Sequence, residues 1–193
     1  MKRFLMAFTL MLPLLANAAN DIQQDNLFPT VEFETSKGTL VVELDRSRAP
    51  LTVDNFLRYA VDGAYDNTIF HRVIADFVVQ GGGYDPDLND VPERDQLVNE
   101  SGSGLTNSLG TIAMARSNEP HSATNQFYFN LNDNYNLDPS SRRWGYAVFG
   151  EITEGEDILQ QLGAVATKFS AELGAPNVPV EPLILKKVTL RPE

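Results

Sequence analysis

There is no cysteine anywhere in the 193 residues. That excludes thiol nucleophiles, disulfide exchange and Cys-based zinc sites, and it leaves stability to packing alone. Histidine is nearly as scarce, with only His71 and His121 present. They lack H-E-x-x-H spacing, so zinc chemistry has little to build on. No G-x-S-x-G turn accompanies them, and a Ser/His/Asp triad needs a histidine facing an exposed serine. His71 sits inside an apolar, strand-like run, the setting of a hydrogen-bonded core histidine. Basic side chains are also few, 15 against 26 acidic ones, for a net charge of −11. Nucleic-acid affinity rests on Lys and Arg, so a phosphate-binding surface is disfavoured and the acidity reads as a solubility feature.

Runs long enough to cross a bilayer, about 20 apolar residues, are missing too. The longest apolar stretch, residues 4–15, follows Lys2 and Arg3 and precedes Ala16-Asn17-Ala18. A charged start, a short apolar run and an A-x-A site make up an export leader. Residues 1–18 are therefore expected to be removed, leaving an exported chain without a membrane anchor that begins at Ala19. Without Lys2 and Arg3 that chain has 13 basic against 26 acidic residues, a formal charge of −13.

Residues 19–29 are polar and aperiodic and read as a tail, so the domain is expected over residues 30–193. Val31-Glu32-Phe33-Glu34-Thr35 and Leu40-Val41-Val42-Glu43-Leu44 alternate around Ser36-Lys37-Gly38, which is a hairpin pattern. Pro50 opens a helical pattern through Val53, Phe56, Leu57, Ala60 and Val61, with Thr52 as its expected N-cap and Gly63 as its stop. Residues 84–98 form an acidic loop without EF-hand spacing. Strand patterns return at residues 110–115, 126–129, 144–150, 183–185 and 188–190, and a second helix is predicted over 154–162. Short strands, glycine-marked turns and two helices indicate an all-β barrel or sandwich. No repeat and no shift in composition marks a second domain.

The densest segment is Phe70-His71-Arg72-Val73-Ile74-Ala75-Asp76-Phe77-Val78-Val79-Gln80-Gly81-Gly82-Gly83. It offers one cation, an apolar floor and an amide, then three glycines that mark a bend or a close strand approach. On spacing alone Arg72 reads as a surface salt-bridge residue. The segment resembles the central motif of the cyclophilins, the peptidyl-prolyl cis-trans isomerases. Gly110-Thr111-Ile112-Ala113-Met114-Ala115-Arg116-Ser117, Ser122-Ala123-Thr124-Asn125-Gln126-Phe127-Tyr128-Phe129, Asn136-Leu137-Asp138 and Gly145-Tyr146-Ala147-Val148-Phe149-Gly150 extend the likeness, which covers about residues 30–190. The family's usual Pro-Gly is Ala75-Asp76 here, a change in a turn.

The resemblance implies a closed eight-stranded antiparallel β-barrel capped by two α-helices. It implies Arg72 as the catalytic residue and a substrate groove formed by Phe77, Val78, Gln80, Ala115, Arg116, Ser117, Gln126, Tyr128, Leu137 and Tyr146. Arg116 stands where many members have asparagine, but that contact is a main-chain one. Strand alternation puts Gln126 and Tyr128 on one face, with Phe127 and Phe129 on the other. Tyr146 replaces a histidine of eukaryotic members, as in the exported bacterial branch, although on its own it also reads as a half-buried core residue. Trp144 lies outside the matched pattern.

The implied reaction is rotation about X-Pro bonds of other exported proteins. It needs no metal and no cofactor. The partners implied are proline-containing segments of exported polypeptides, bound by a periplasmic monomer, with no nucleic acid. Members that bind cyclosporin tightly carry a tryptophan near the position of Asn136, or of Tyr135 if the register shifts by one, so weak cyclosporin binding is expected. Two rivals remain at this point. One is a chaperone that holds proline segments without turnover; the other is a barrel carrying a small apolar ligand, for which a phenylalanine-filled interior leaves little room.

Overall fold

The structure, a computed structural model, describes residues 22–193. The expected leader, residues 1–18, lies outside the described residues. Eleven strands and two helices follow one another in the order β1 (Thr30–Thr35), β2 (Thr39–Leu44), α1 (Pro50–Val61), β3 (Thr68–Ile69), β4 (Arg72–Ile74), β5 (Val78–Gly81), β6 (Thr111–Met114), β7 (Phe127–Asn130), β8 (Val148–Glu154), α2 (Glu156–Gly163), β9 (Thr167–Ser170), β10 (Ala175–Pro179) and β11 (Ile184–Leu190). Nine of the strands form one curled antiparallel sheet in the order β3-β11-β1-β2-β8-β6-β7-β5-β4. It is a mostly β architecture with a helix pair, as expected.

The closure differs from the expectation of eight strands and a closed ladder. By its hydrogen bonds the sheet is a half-barrel, whose two ends β3 and β4 belong to one chain segment. Phe70 and His71 interrupt that segment, because the Phe70 amide turns to the Leu183 carbonyl and the Ile69 amide to that of Tyr84. Covalent continuity, not a ladder, joins the two ends.

The β1–β2 hairpin forms in the predicted register, Val31 opposite Val42 and Phe33 opposite Leu40. Thr35 closes its turn by donating both its amide and its hydroxyl to the Gly38 carbonyl. Inside the curl, Phe33 stacks on Phe56 of α1 at 5.8 Å and meets Phe127 and Phe129 edge-on at 5.6 and 5.2 Å. Phe149 of β8 adds a ring 5.3 Å from Phe56. Edge-on aromatic pairs of this kind add about 0.5–1.5 kcal/mol each beyond area burial.

Helix α1 begins differently from expectation. Pro50 occupies the first turn, and Thr52 sits inside the helix rather than at its cap. The orphan amides of Leu51 and Thr52 are taken instead by the carboxylate of Glu100, which also accepts the Thr52 hydroxyl at 2.7 Å. A loop residue 48 positions away thus caps the helix. The strand expected over residues 144–150 starts only at Val148, and the two C-terminal runs are one strand, β11. The β9–β10 hairpin was not expected. Its β9 residues are mostly exposed, so no alternating apolar pattern announces it. Residues 22–29, which read as tail, are fastened by buried Arg46. Its guanidinium donates to the Ile22 and Asn26 carbonyls and pairs with Asp54 at 2.9 Å.

Candidate active site

Alternation along β5, β6 and β7 sorts their side chains between two faces. Val79, Ile112, Met114, Phe127 and Phe129 join the main core; Val78, Ala113 and Tyr128 join Val148 in a second, smaller cluster on the other side. Phe77, Ala115, Leu137 and Tyr146 pack against that second cluster. The ladder places Arg72 opposite Gln80, Gln80 opposite Tyr128, and Tyr128 opposite Ala113, in a row across four strands.

Arg72 is half-buried on β4 at the end of this row. Its Nη1 donates to Gln80 Oε1 at 3.2 Å, and Gln80 Nε2 donates to Gln126 Oε1 at 2.9 Å. Among the described residues no carboxylate lies within 4.0 Å of the Arg72 guanidinium, so it is not the salt-bridge arginine that spacing alone suggested. Two amides in series hold the cation in place without neutralising it. Gln126 is held in turn by Gly83, where an added Cβ would fall 2.7 Å from its amide. The Ala75-Asp76 turn before Phe77 is made by Asp76 in the left-handed region, φ +58°.

Next to the apolar cluster is a hollow of about 260 Å³ lined by Gln80, Ala115, Arg116, Ser117 and Gln126, and also by Glu93, Ser122 and Thr124. The ten groove residues expected from the resemblance are therefore split between an adjoining apolar surface and this polar hollow, with Arg72 at the Gln80 end. The Arg116 side chain has partners of its own besides the main-chain contact expected of it. Its guanidinium lies 4.5 Å over the Tyr146 ring and donates to the carbonyls of Gly145 (3.1 Å) and Trp144 (2.9 Å). Tyr146 meets Tyr128 edge-on at 5.8 Å, which answers the open question of its packing. Ser117 is turned aside, its hydroxyl donating to Ser122 Oγ at 2.7 Å.

A buried amide network that no sequence motif announces lies against the second cluster. Tyr128 donates its hydroxyl to Asn107 Oδ1 at 2.7 Å, while the Asn107 side chain and amide both donate to Asp138 Oδ1 at 2.8 Å. Asn134 Nδ2 bonds the Phe77 carbonyl and Asn130 Oδ1, both at 2.8 Å. Phe77, Tyr128 and Leu137, in and against the second cluster, are thus tied to one another through this network. Only the density of Asn and Asp around residues 130–138 hinted at this. Burial drives the Tyr128 phenol well above its ordinary pKa, helped by Tyr146 and Asp138, so it stays a donor.

Neither histidine is placed as a base. His71 is buried, edge-on to Tyr84 at 4.9 Å, and its pKa falls to about 4, first through burial and then through adjacent Arg72. The hydrogen-bonded core histidine that was expected is buried but not satisfied, for Nδ1 finds no partner among the described residues. His121 Nδ1 accepts the Asn99 amide at 3.0 Å. No group of three or more potential metal ligands occurs among the described residues, the acidic loop included. No described helix is long and apolar enough to cross a membrane.

Residues 30–189 match the family described as cyclophilin type peptidyl-prolyl cis-trans isomerase/CLD. The chain is 47% identical to peptidyl-prolyl cis-trans isomerase cyp18 of Streptomyces antibioticus, over 83% of this chain and 98% of that protein. It is 43% identical to peptidyl-prolyl cis-trans isomerase B of Escherichia coli, with the same two coverages. A crystal structure of a cyclophilin type isomerase from Cryptosporidium parvum superposes with a TM-score of 0.71 at 25% identity, covering 86% of this chain and 99% of that one. The curled sheet, the two-sided strands and these matches agree, and the chain belongs to the cyclophilin-type peptidyl-prolyl cis-trans isomerases.

Proposed function

We propose that Arg72 catalyses rotation about X-Pro bonds in exported polypeptides, acting in the periplasm as a monomer. A peptide bond resists rotation by about 18–20 kcal/mol because its nitrogen lone pair is delocalised into the carbonyl. In the twisted state the lone pair returns to a pyramidal nitrogen. A donor aimed at that nitrogen stabilises the twisted state more than either planar isomer, which is what acceleration requires. Arg72 supplies a permanently charged donor, oriented by Gln80. Phe77, Val78, Tyr128, Leu137 and Tyr146 hold the proline ring, and Gln80, Gln126 and the 115–117 backbone hold the residues before it. No nucleophile, base or cofactor enters the step.

The observation that carries this reading is the uncompensated Arg72 guanidinium, bonded to Gln80 at the end of the strand row that bears the second apolar cluster. Pure holding of proline segments has no need of a cation there, which favours turnover over the chaperone alternative. Arg72→Ala should stay folded yet lose about 10²–10³ in kcat/KM in a proline-peptide assay, the effect of removing one preorganised donor. Activity within a few-fold of the parent would remove Arg72 from the mechanism. Export rests on the leader pattern, and a secreted chain whose mass does not begin at Ala19 would count against it. Weak cyclosporin binding follows from Asn136, which lacks an indole; nanomolar inhibition would contradict it.

A further inference from the structure

The loop between Leu137 and Tyr146 leaves the groove from one wall and returns at another, yet beyond Asp138 the isomerisation reading uses none of it. It carries Trp144, 47% exposed, together with Arg142 and Arg143, around a hollow of about 390 Å³ that Ser101 and Pro139 also line. An exposed tryptophan on a floppy loop would mean little. This one is pinned. Ser140 and Arg143 bond each other through their backbones, and the carbonyls of Trp144 and Gly145 are held by Arg116. The Gly145 amide donates to Ser101 Oγ at 3.1 Å. A Cβ on Gly145 would fall 2.4 Å from the Pro139 nitrogen, so only glycine lets the loop fold back this tightly. The indole itself rests edge-on against His121 at 5.1 Å.

The charges are as informative. In a chain with net charge −11, Arg142 and Arg143 line this hollow, Arg116 holds its loop, and Arg72 stands at the Gln80 end of the neighbouring groove. Among the described residues none of the four has a carboxylate within 4.0 Å. Arg143 spends its donors on the carbonyls of Asn136 and Asp138, which fix it without cancelling its charge. Arg142 has no side-chain hydrogen bond within the described residues. A rigid aromatic face beside an uncompensated guanidinium suits a ligand that brings a carboxylate and some apolar surface.

We propose that residues 138–145 form a subsite beside the proline pocket that selects segments with an acidic residue a few positions from the proline. Arg142 pairs with the carboxylate and Trp144 covers the adjoining methylenes. The proposal rests on the groove reading above. Its test is a set of proline peptides differing only by Glu, Gln or Lys, placed two to four residues from the proline on either side. The readout is the Glu-to-Gln ratio of kcat/KM for each protein, in which any general loss of activity cancels. An exposed pair of this kind supports a preference of about two- to five-fold for Glu at the matching placement, weakened by added salt. Arg142→Ala should flatten the ratio, and Arg142→Glu should turn it towards Lys. Trp144→Ala should raise KM for the Glu peptide with little change in kcat. A flat ratio at every placement, or a Glu preference that survives Arg142→Glu, overturns the subsite. Arg72→Ala on the Gln peptide separates the two readings, because surviving turnover there sinks the groove assignment instead.

Discussion

On the inner face of β5, β6 and β7, Val79, Ile112, Phe127 and Phe129 have no exposed surface at all and lie against the aromatic cluster of Phe33 and Phe56. The outer face of the same strands carries Val78, Gln80, Ala113 and Tyr128, smaller or polar-tipped groups. Under them lies a web of amides rather than a second layer of rings. One face fills space with large apolar groups that tolerate no void; the other keeps space open and spends hydrogen bonds on fixing its walls. Stability should therefore fail on one side and rate on the other.

Breaking the inner side gives the largest change in stability. Phe129→Ala removes a ring packed against Phe33, Phe127 and Phe70. It should cost about 3–5 kcal/mol, the usual range for emptying a buried aromatic site. Urea unfolding measures it. Arg72→Ala, on the outer side, should move the same midpoint by no more than about 1 kcal/mol, the worth of one hydrogen bond. If Phe129→Ala were nearly neutral, or Arg72→Ala as damaging to stability as to rate, the division between faces would be wrong.

A middle-sized effect sits at the break between β3 and β4, where Phe70 turns into the core and His71 packs on Tyr84. His71 has a folded pKa near 4 against an ordinary value of 6.5. Above about pH 6.5 both folded and unfolded chains hold it neutral and it contributes no pH dependence. Between 6.5 and 4 the unfolded chain takes up a proton that the folded one refuses. Stability then falls with falling pH by on the order of 3 kcal/mol in total. Arg72 is the charged neighbour that lowers the pKa further, and Tyr84 faces the ring. His71→Phe should flatten this part of the acid limb, leaving the carboxylate contribution. Equal slopes for the two proteins from pH 6.5 to 4 would show that His71 protonates freely in the folded state.

The β1–β2 hairpin, both helices and the inner and outer sorting of residues 126–129 were legible, because period-two and period-3.6 patterns are local properties of the chain. So was the coming together of Arg72 with Gln80, which the motif holds eight residues apart and the ladder brings face to face. What stayed hidden depends on partners distant in sequence. Glu100 could not be read as the cap of a helix 48 residues before it. The sequence offers Arg116 a groove contact through its main chain only, and the folded 144–146 loop alone supplies the carbonyls and ring that engage its side chain. The open ladder at Phe70-His71 was hidden for a different reason, since an apolar run reads as one strand whether or not its hydrogen bonds are continuous.

Tyr128 is the residue on which the contrast between the faces can be sharpened most finely. Its ring belongs to the outer cluster, and its hydroxyl reaches the amide web through Asn107, which binds Asp138 next to Leu137. Tyr128→Phe keeps the ring and removes only the tether. Asn107 Oδ1 retains a longer bond from Asn130 Nδ2 at 3.3 Å, so the buried oxygen is not left wholly unpaired. The expected loss of stability is therefore about 0.5–1.5 kcal/mol, a single net hydrogen bond rather than a full desolvation penalty. If the web positions the wall, kcat/KM should fall by a few-fold as well, mainly through KM, because the proline slot loosens without touching Arg72. A variant with unchanged kinetics and the same small loss of stability would show that packing against Val78, Ala113 and Tyr146 alone holds the ring. The amides beneath would then serve the fold and not the groove.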